Sequence, residues 1–156
     1  MAVLIRRCLL LSSLLTVVLL AEAADWLLPL SGRQQYAVQI NARGAELTGI
    51  CIIKTDSVGE SRGAIVNEFG IHAMDFTLSA DRRKVKLQNV MPQMDRWYIR
   101  RIVRGDLKAL FNETRGTGCE VRGRRQVTVE EDGTVVLTNT KYKLRYSFKQ
   151  IDDTER

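Results

Sequence analysis

Lys141-Tyr142-Lys143-Leu144-Arg145-Tyr146-Ser147-Phe148-Lys149 is the stretch that decides the fold class. Tyr142, Leu144, Tyr146 and Phe148 fall on one side of an extended chain, and Lys141, Lys143, Arg145, Ser147 and Lys149 on the other. A strict period of two predicts a strand with one face on a core and one in water. Just upstream, residues 121–130 and 134–138 flank Glu131-Asp132-Gly133, and Asp-Gly between two strand patterns predicts a hairpin.

The same rhythm runs further back. Residues 47–55 form an Ile-rich run, and Asp56-Ser57-Val58-Gly59 reads as a turn. Residues 61–69 resume as a strand that stops at Gly70, and residues 71–79 form the next. Asp81-Arg82 makes a tight connection to residues 84–90, where Val85 and Leu87 alternate with Lys84, Lys86 and Gln88. Short strands with regular turn signals predict an antiparallel meander.

One segment breaks the period of two. Between residues 94 and 111, Ile99, Ile102, Val103, Leu107 and Leu110 recur at helical spacing, with Pro92 just before the first turn. Arg96, Arg100, Arg104 and Lys108 form an i, i+4 basic stripe on another face, and Trp97 and Tyr98 add two large amphipathic rings. Gly105 inside this pattern reads as a kink or hinge. The fold class is therefore α+β, with a curved antiparallel sheet wrapping one principal helix. Residues 24–31 form an apolar lead-in, either a short helix or an edge strand, and residues 112–118 a Gly-containing loop.

The first 23 residues read as a secretory signal peptide. Arg6 and Arg7 form its positive start, twelve apolar residues follow from Leu9 to Leu20, and Ala21-Glu22-Ala23 offers small residues for cleavage before Ala24. Twelve residues at ~1.5 Å each fall well short of a ~30 Å hydrocarbon core, so cleavage is favoured over a retained anchor. Cys8 lies before the apolar run, the wrong side for a lipid-modified cysteine. The mature chain is then a single soluble domain, residues 24–156, in the bacterial periplasm. Losing Arg6, Arg7 and Glu22 lowers the formal charge from +6 to +5. Such a basic exported domain suits anionic lipid headgroups or acidic polymers, or is simply well solvated. Cys51 and Cys119 are either a disulfide closing a 68-residue loop or two buried thiols.

Catalytic constellations are sparse. His72 is the only histidine, so a Ser-His-Asp arrangement would need it with Asp75 or Asp95 and a serine such as Ser57 or Ser61. No nucleophile elbow surrounds any serine. His72 shares the period-two face of Met74, Phe76 and Leu78, which reads as a structural residue beside the core. One histidine and two distant cysteines do not make a tetrahedral metal set. Glu60 and Glu68 have no spacing that favours glycoside hydrolysis over solvated charge. Gly116-Thr117-Gly118 precedes a strand rather than a helix, and no nucleotide-binding loop is present. A non-enzyme without cofactor or metal is expected, and nucleic acid is not an expected partner.

What remains is the concave side of the sheet. Met74, Phe76, Leu78, Val85, Leu87, Tyr142, Leu144, Tyr146 and Phe148, with Ile99, Ile102 and Val103 from the helix, line either an apolar ligand cavity or a dry core. The basic stripe is either a contact for lipid phosphates or a solvated helix face.

Gly49-Ile50-Cys51-Ile52-Ile53-Lys54 and the later Asn67-Glu68-Phe69-Gly70, followed by Asp75-Phe76, resemble a pattern in small exported proteins. Those proteins are similar to the lipoprotein-localisation carriers of the bacterial envelope, the periplasmic lipoprotein chaperone and its outer-membrane receptor. The resemblance implies a half-open antiparallel barrel closed by helices. It also implies an apolar cavity for lipid or lipoprotein acyl chains, and no catalysis. The alternative is an envelope interaction module with a filled core and a basic helix face.

Overall fold

The computed structural model describes residues 26–113, 121–122 and 124–151. The signal-peptide segment, Gly116-Thr117-Gly118 and Cys119 lie outside them. The described strands are β1 (Arg33–Ala42), β2 (Ala45–Thr55), β3 (Ser61–Asn67), β4 (His72–Leu78) and β5 (Val85–Gln88). After the helix α1 (Trp97–Phe111) come β6 (Val121–Arg122), β7 (Arg125–Val129), β8 (Val135–Asn139) and β9 (Leu144–Gln150).

All nine belong to one antiparallel sheet in the order β5-β4-β3-β2-β1-β9-β8-β7-β6. Two meanders thus meet where β9 returns beside β1. The margins β5 and β6 do not pair with each other, so the sheet is not a closed barrel. The helix packs on β5 at one margin and on β7 and β8 near the other. Among the described residues no helix is long and apolar enough to cross a membrane.

Local chemistry explains the turns. The Asp56 carboxylate accepts the backbone N–H of Val58 at 3.0 Å and of Glu60 at 2.9 Å. The Asn67 side-chain oxygen does the same for Phe69 at 3.0 Å and Ile71 at 2.7 Å. Each is an Asx device that competes with strand continuation. Asn67 therefore ends β3, two residues earlier than the apolar pattern suggests.

The β1–β2 hairpin was not expected from the apolar pattern. Tyr36, Val38 and Ile40 are buried and alternate with exposed Ala37 and Gln39. Arg43 and Gly44, at φ 46° and 91°, form a two-residue turn closed by the Ala42–Ala45 pair. Positive φ at both central residues is the geometry that matches strand twist, and glycine takes it at no steric cost. At the other end of the chain, β9 begins at Leu144, and Lys143 has φ 55°. Lys141, Tyr142 and Lys143 belong to the β8–β9 turn, not to the strand that their alternation predicts.

His72 also requires a correction. It is exposed, whereas Ala73 and Met74 are both buried. The β3–β4 register slips between Ile65 and Val66, which pair with Met74 and His72 and leave Ala73 extra. A bulge of one residue reverses which side chains face the core. His72 therefore leaves the Met74, Phe76, Leu78 face and bonds Asp75 at 2.6 Å in solvent.

The filled part of the core sits toward the C-terminal end of α1. Rings of Phe76 and Phe111 are 5.6 Å apart, Phe111 and Phe148 5.9 Å, and Phe148 and Tyr36 6.1 Å. Phe76 lies flat over Gly63, where a Cβ would come 2.2 Å from its Cζ. Arg82, buried and at φ 57°, is enclosed beside this core. Its Nη1 donates to the carbonyls of Leu28 at 2.9 Å and Phe111 at 3.2 Å, and its guanidinium lies 4.4 Å from the Trp26 ring centre. One side chain thus ties the N-terminal lead-in and the helix C-terminus to the β4–β5 turn. Burial pulls its pKa down to about 10, so it stays charged at neutral pH.

Candidate ligand-binding site

An apolar cavity of about 620 Å³ opens between the β1–β2 hairpin, the first turns of α1 and the start of β9. Its floor is buried Ile40, Met74, Val103 and Tyr146. Its rim is partly exposed Leu47, Met94, Ile99, Ile102, Tyr142 and Leu144. The elements set this up directly. Period two sends Ile40 and Ala42 of β1 inward opposite Ala45 and Leu47 of β2. Spacing of three and four places Ile99, Ile102 and Val103 on the helix face toward them. Small Ala42 and Ala45 leave open the space that Phe111 fills at the other end.

Seven of the twelve expected lining residues therefore meet at one cavity: Met74, Ile99, Ile102, Val103, Tyr142, Leu144 and Tyr146. Phe76, Leu78 and Phe148 lie instead in the filled core, fully buried. Val85 is buried below the basic groove described next, and Leu87 lies in a shallow depression with Lys86 and Arg100. The division follows from aromatic volume: Phe76, Phe111 and Phe148 fill the space between sheet and helix at their end. Sequence reasoning missed Ile40, Ala42, Ala45, Leu47 and Met94, and also Arg43, Glu46 and Tyr98 at the rim. The alternation from Tyr36 to Ala42, followed by Arg43-Gly44, carried the signal for the first four.

Beneath the helix lies one buried polar cluster. Asp106, fully buried, accepts from Arg125 Nε at 2.6 Å and from Asn139 Nδ2 at 2.8 Å. These bonds fasten α1 to β7 and β8. Among the described residues, Asp106 Oδ2 and the Tyr146 hydroxyl have no hydrogen-bond partner. Burial, with the Asp106 charge close by, pushes the Tyr146 phenol well above its usual range. At the opposite margin Arg100 bonds Asp95 at 2.6 Å and the Leu87 carbonyl of β5 at 2.9 Å.

Gly105 is not a kink, since α1 is continuous through it. A Cβ there would sit 2.6 Å from Arg125 Nη2, so the missing side chain is what admits the guanidinium that pairs with Asp106. The basic stripe also divides. Arg96 is the residue before the first helical turn, and Arg100 is held by the sheet. Arg104 and Lys108 line a second groove of about 880 Å³, beside Arg101 and the exposed Trp97 and Tyr98.

Elsewhere, the Ser61 hydroxyl shares a hydrogen bond with Thr55 at 2.8 Å, and His72 and Asp75 form an exposed pair joined by Asn89. Cys51 is buried between strands, and burial pushes its thiol far above its usual range. Its suggested partner Cys119 lies outside the described residues. No protein-family model matches the chain. A search of curated proteins likewise gives no match.

Proposed function

We propose that this protein is an exported, non-catalytic carrier that holds an acyl or lipidated ligand in the cavity between the β1–β2 hairpin and α1. The observation that carries this reading is the cavity itself: about 620 Å³ and walled almost entirely by aliphatic and aromatic side chains. That volume lies within the ~300–1,000 Å³ usual for ligand sites. Each methylene taken from water into it contributes ~0.8 kcal/mol before the costs of association.

The architecture is a half-open barrel around its helix, as in the lipoprotein-localisation carriers that residues 49–76 resemble. Support comes from α1 bonding the sheet at its β5 margin, through Arg100, and near the other margin, through Asp106 to β7 and β8. A twisted sheet that meets one helix at β5 and again at β7 and β8 supports strong curvature around it. The periplasm is the proposed compartment, on the strength of residues 1–23. A second reading, an envelope interaction module, is favoured by the Phe76-Phe111-Phe148 stack that fills the space between sheet and helix at one end.

Native mass spectrometry of the protein purified from envelope extract tests the carrier reading. A bound acyl-containing mass, displaced by a fluorescent fatty acid, is the expected result. Ligand-free protein in every preparation, with no fatty-acid binding, would leave only the interaction module.

A further inference from the structure

The basic groove and the apolar cavity are neighbours that share a wall. Tyr98 and Ile102, four residues apart on α1, and Tyr142 of the β8–β9 turn line both spaces. Cations reach the groove from four places in the fold. Arg101, Arg104 and Lys108 come from the helix, Arg124 and Lys141 from the ends of β7 and β8, and Lys84 from the turn before β5. Lys84 lies near the Asp81 carboxylate. Among the described residues none of the other five is in an ion pair. Asp106, the acidic side chain nearest on the helix, is buried and committed to Arg125. Like charges converging without a counter-charge raise the local potential and favour an anion.

We infer that the ligand is an anionic amphiphile, an acyl glycerophosphate, whose chain enters the cavity and whose phosphate sits in the groove across the Tyr98-Ile102-Tyr142 wall. The inference rests on the carrier reading and names its ligand class. A phosphate monoester matches the site better than a single carboxylate, because its three oxygens and near-double charge can engage several cations at once. Arg101 and Lys141 flank the shared wall in sequence, next to Ile102 and Tyr142, and Lys141 Nζ lies 5.0 Å from the Tyr142 ring centre. They are placed to meet the headgroup where the chain leaves the cavity. Exposed Tyr98, 50% accessible, lines both spaces, and exposed Trp97 lines the groove beside it; such amphipathic rings suit the polar–apolar boundary of such a ligand.

Three probes separate the contributions: oleoyl lysophosphatidic acid, mono-oleoylglycerol and glycerol 3-phosphate, titrated below micellar concentration against the purified protein. Lysophosphatidic acid should bind at least roughly tenfold tighter than the uncharged lipid, and the preference should shrink at high salt. Arg101→Gln combined with Lys141→Gln, both exposed, should remove most of that preference and leave mono-oleoylglycerol binding unchanged. Equal binding of the two lipids would overturn the headgroup inference and leave the acyl carrier intact. Glycerol 3-phosphate binding as tightly as lysophosphatidic acid would make the groove a free-anion site and also overturn it. Failure of both lipids to bind would remove the carrier reading, and this inference with it.

Discussion

Gly105 shows how one residue changes meaning once its neighbours are known. In an isolated helix Gly105→Ala gains ~1 kcal/mol of propensity. Here the new methyl displaces the Arg125 guanidinium, and a charge-assisted bond to a buried carboxylate is worth roughly 1.5–3 kcal/mol. The loss exceeds the gain, so Gly105→Ala should lower stability by about 1 kcal/mol in denaturant titration. In an Arg125→Ala background the same change should become neutral or stabilising. A stabilising Gly105→Ala in the wild type would mean that Arg125 relaxes freely. Cys51 gives a second test at this scale. Its buried thiol should resist thiol-specific reagents at about pH 8 in a Cys119→Ser background, and react only on unfolding.

At the scale of elements, α1 and the β1–β2 hairpin define the cavity between them. Periodicity alone makes Ile102 and Val103 equivalent inward residues. The helix rotation distinguishes them: Val103 is buried against the sheet, whereas Ile102 is half exposed on the shared wall. Val103→Asp should therefore cost several kcal/mol by burying an unpaired carboxylate. Ile102→Asp should cost clearly less, because water reaches that position, and parallel thermal melts decide the order. On the hairpin side, Leu47→Trp adds volume at the rim, where Leu47 is only partly buried, away from the Phe76-Phe111-Phe148 stack. It should weaken fluorescent fatty-acid binding roughly tenfold and leave the melting temperature nearly unchanged. Unaltered binding would place the ligand elsewhere.

The whole molecule is held by ties that cross it. Arg82 joins the lead-in carbonyl of Leu28, the helix-end carbonyl of Phe111 and the Trp26 ring in one buried knot. A cation at a helix C-terminus is favoured by the exposed carbonyls there. Arg82→Ala leaves two buried carbonyls unsatisfied and should destabilise the fold by about 3 kcal/mol, read from the chemical denaturation midpoint. A change below about 0.5 kcal/mol, the usual range for surface substitutions, would show that water replaces the guanidinium. In sequence Arg82 is only half of an Asp-Arg turn, and its partners lie 54 and 29 residues away.

The antiparallel, mostly-sheet α+β class, the amphipathic helix α1 and most turns were legible in the sequence, because periods of two and 3.6 are local properties. Six cavity residues, Met74, Ile99, Ile102, Val103, Leu144 and Tyr146, were legible for the same reason, each on the apolar side of its element, while Tyr142 reaches the cavity from a turn. Three things were decided only by tertiary structure. The bulge at Ala73 turned His72 to solvent through cross-strand register. The Phe76-Phe111-Phe148 stack filled the space between sheet and helix at one end, while small Ala42 and Ala45 left it open at the other. The basic groove assembled from Lys84, Arg101, Arg124 and Lys141, which no spacing rule connects. Register, volume matching and convergence of distant charges depend on which elements meet, and that information is not carried by any one segment of the chain.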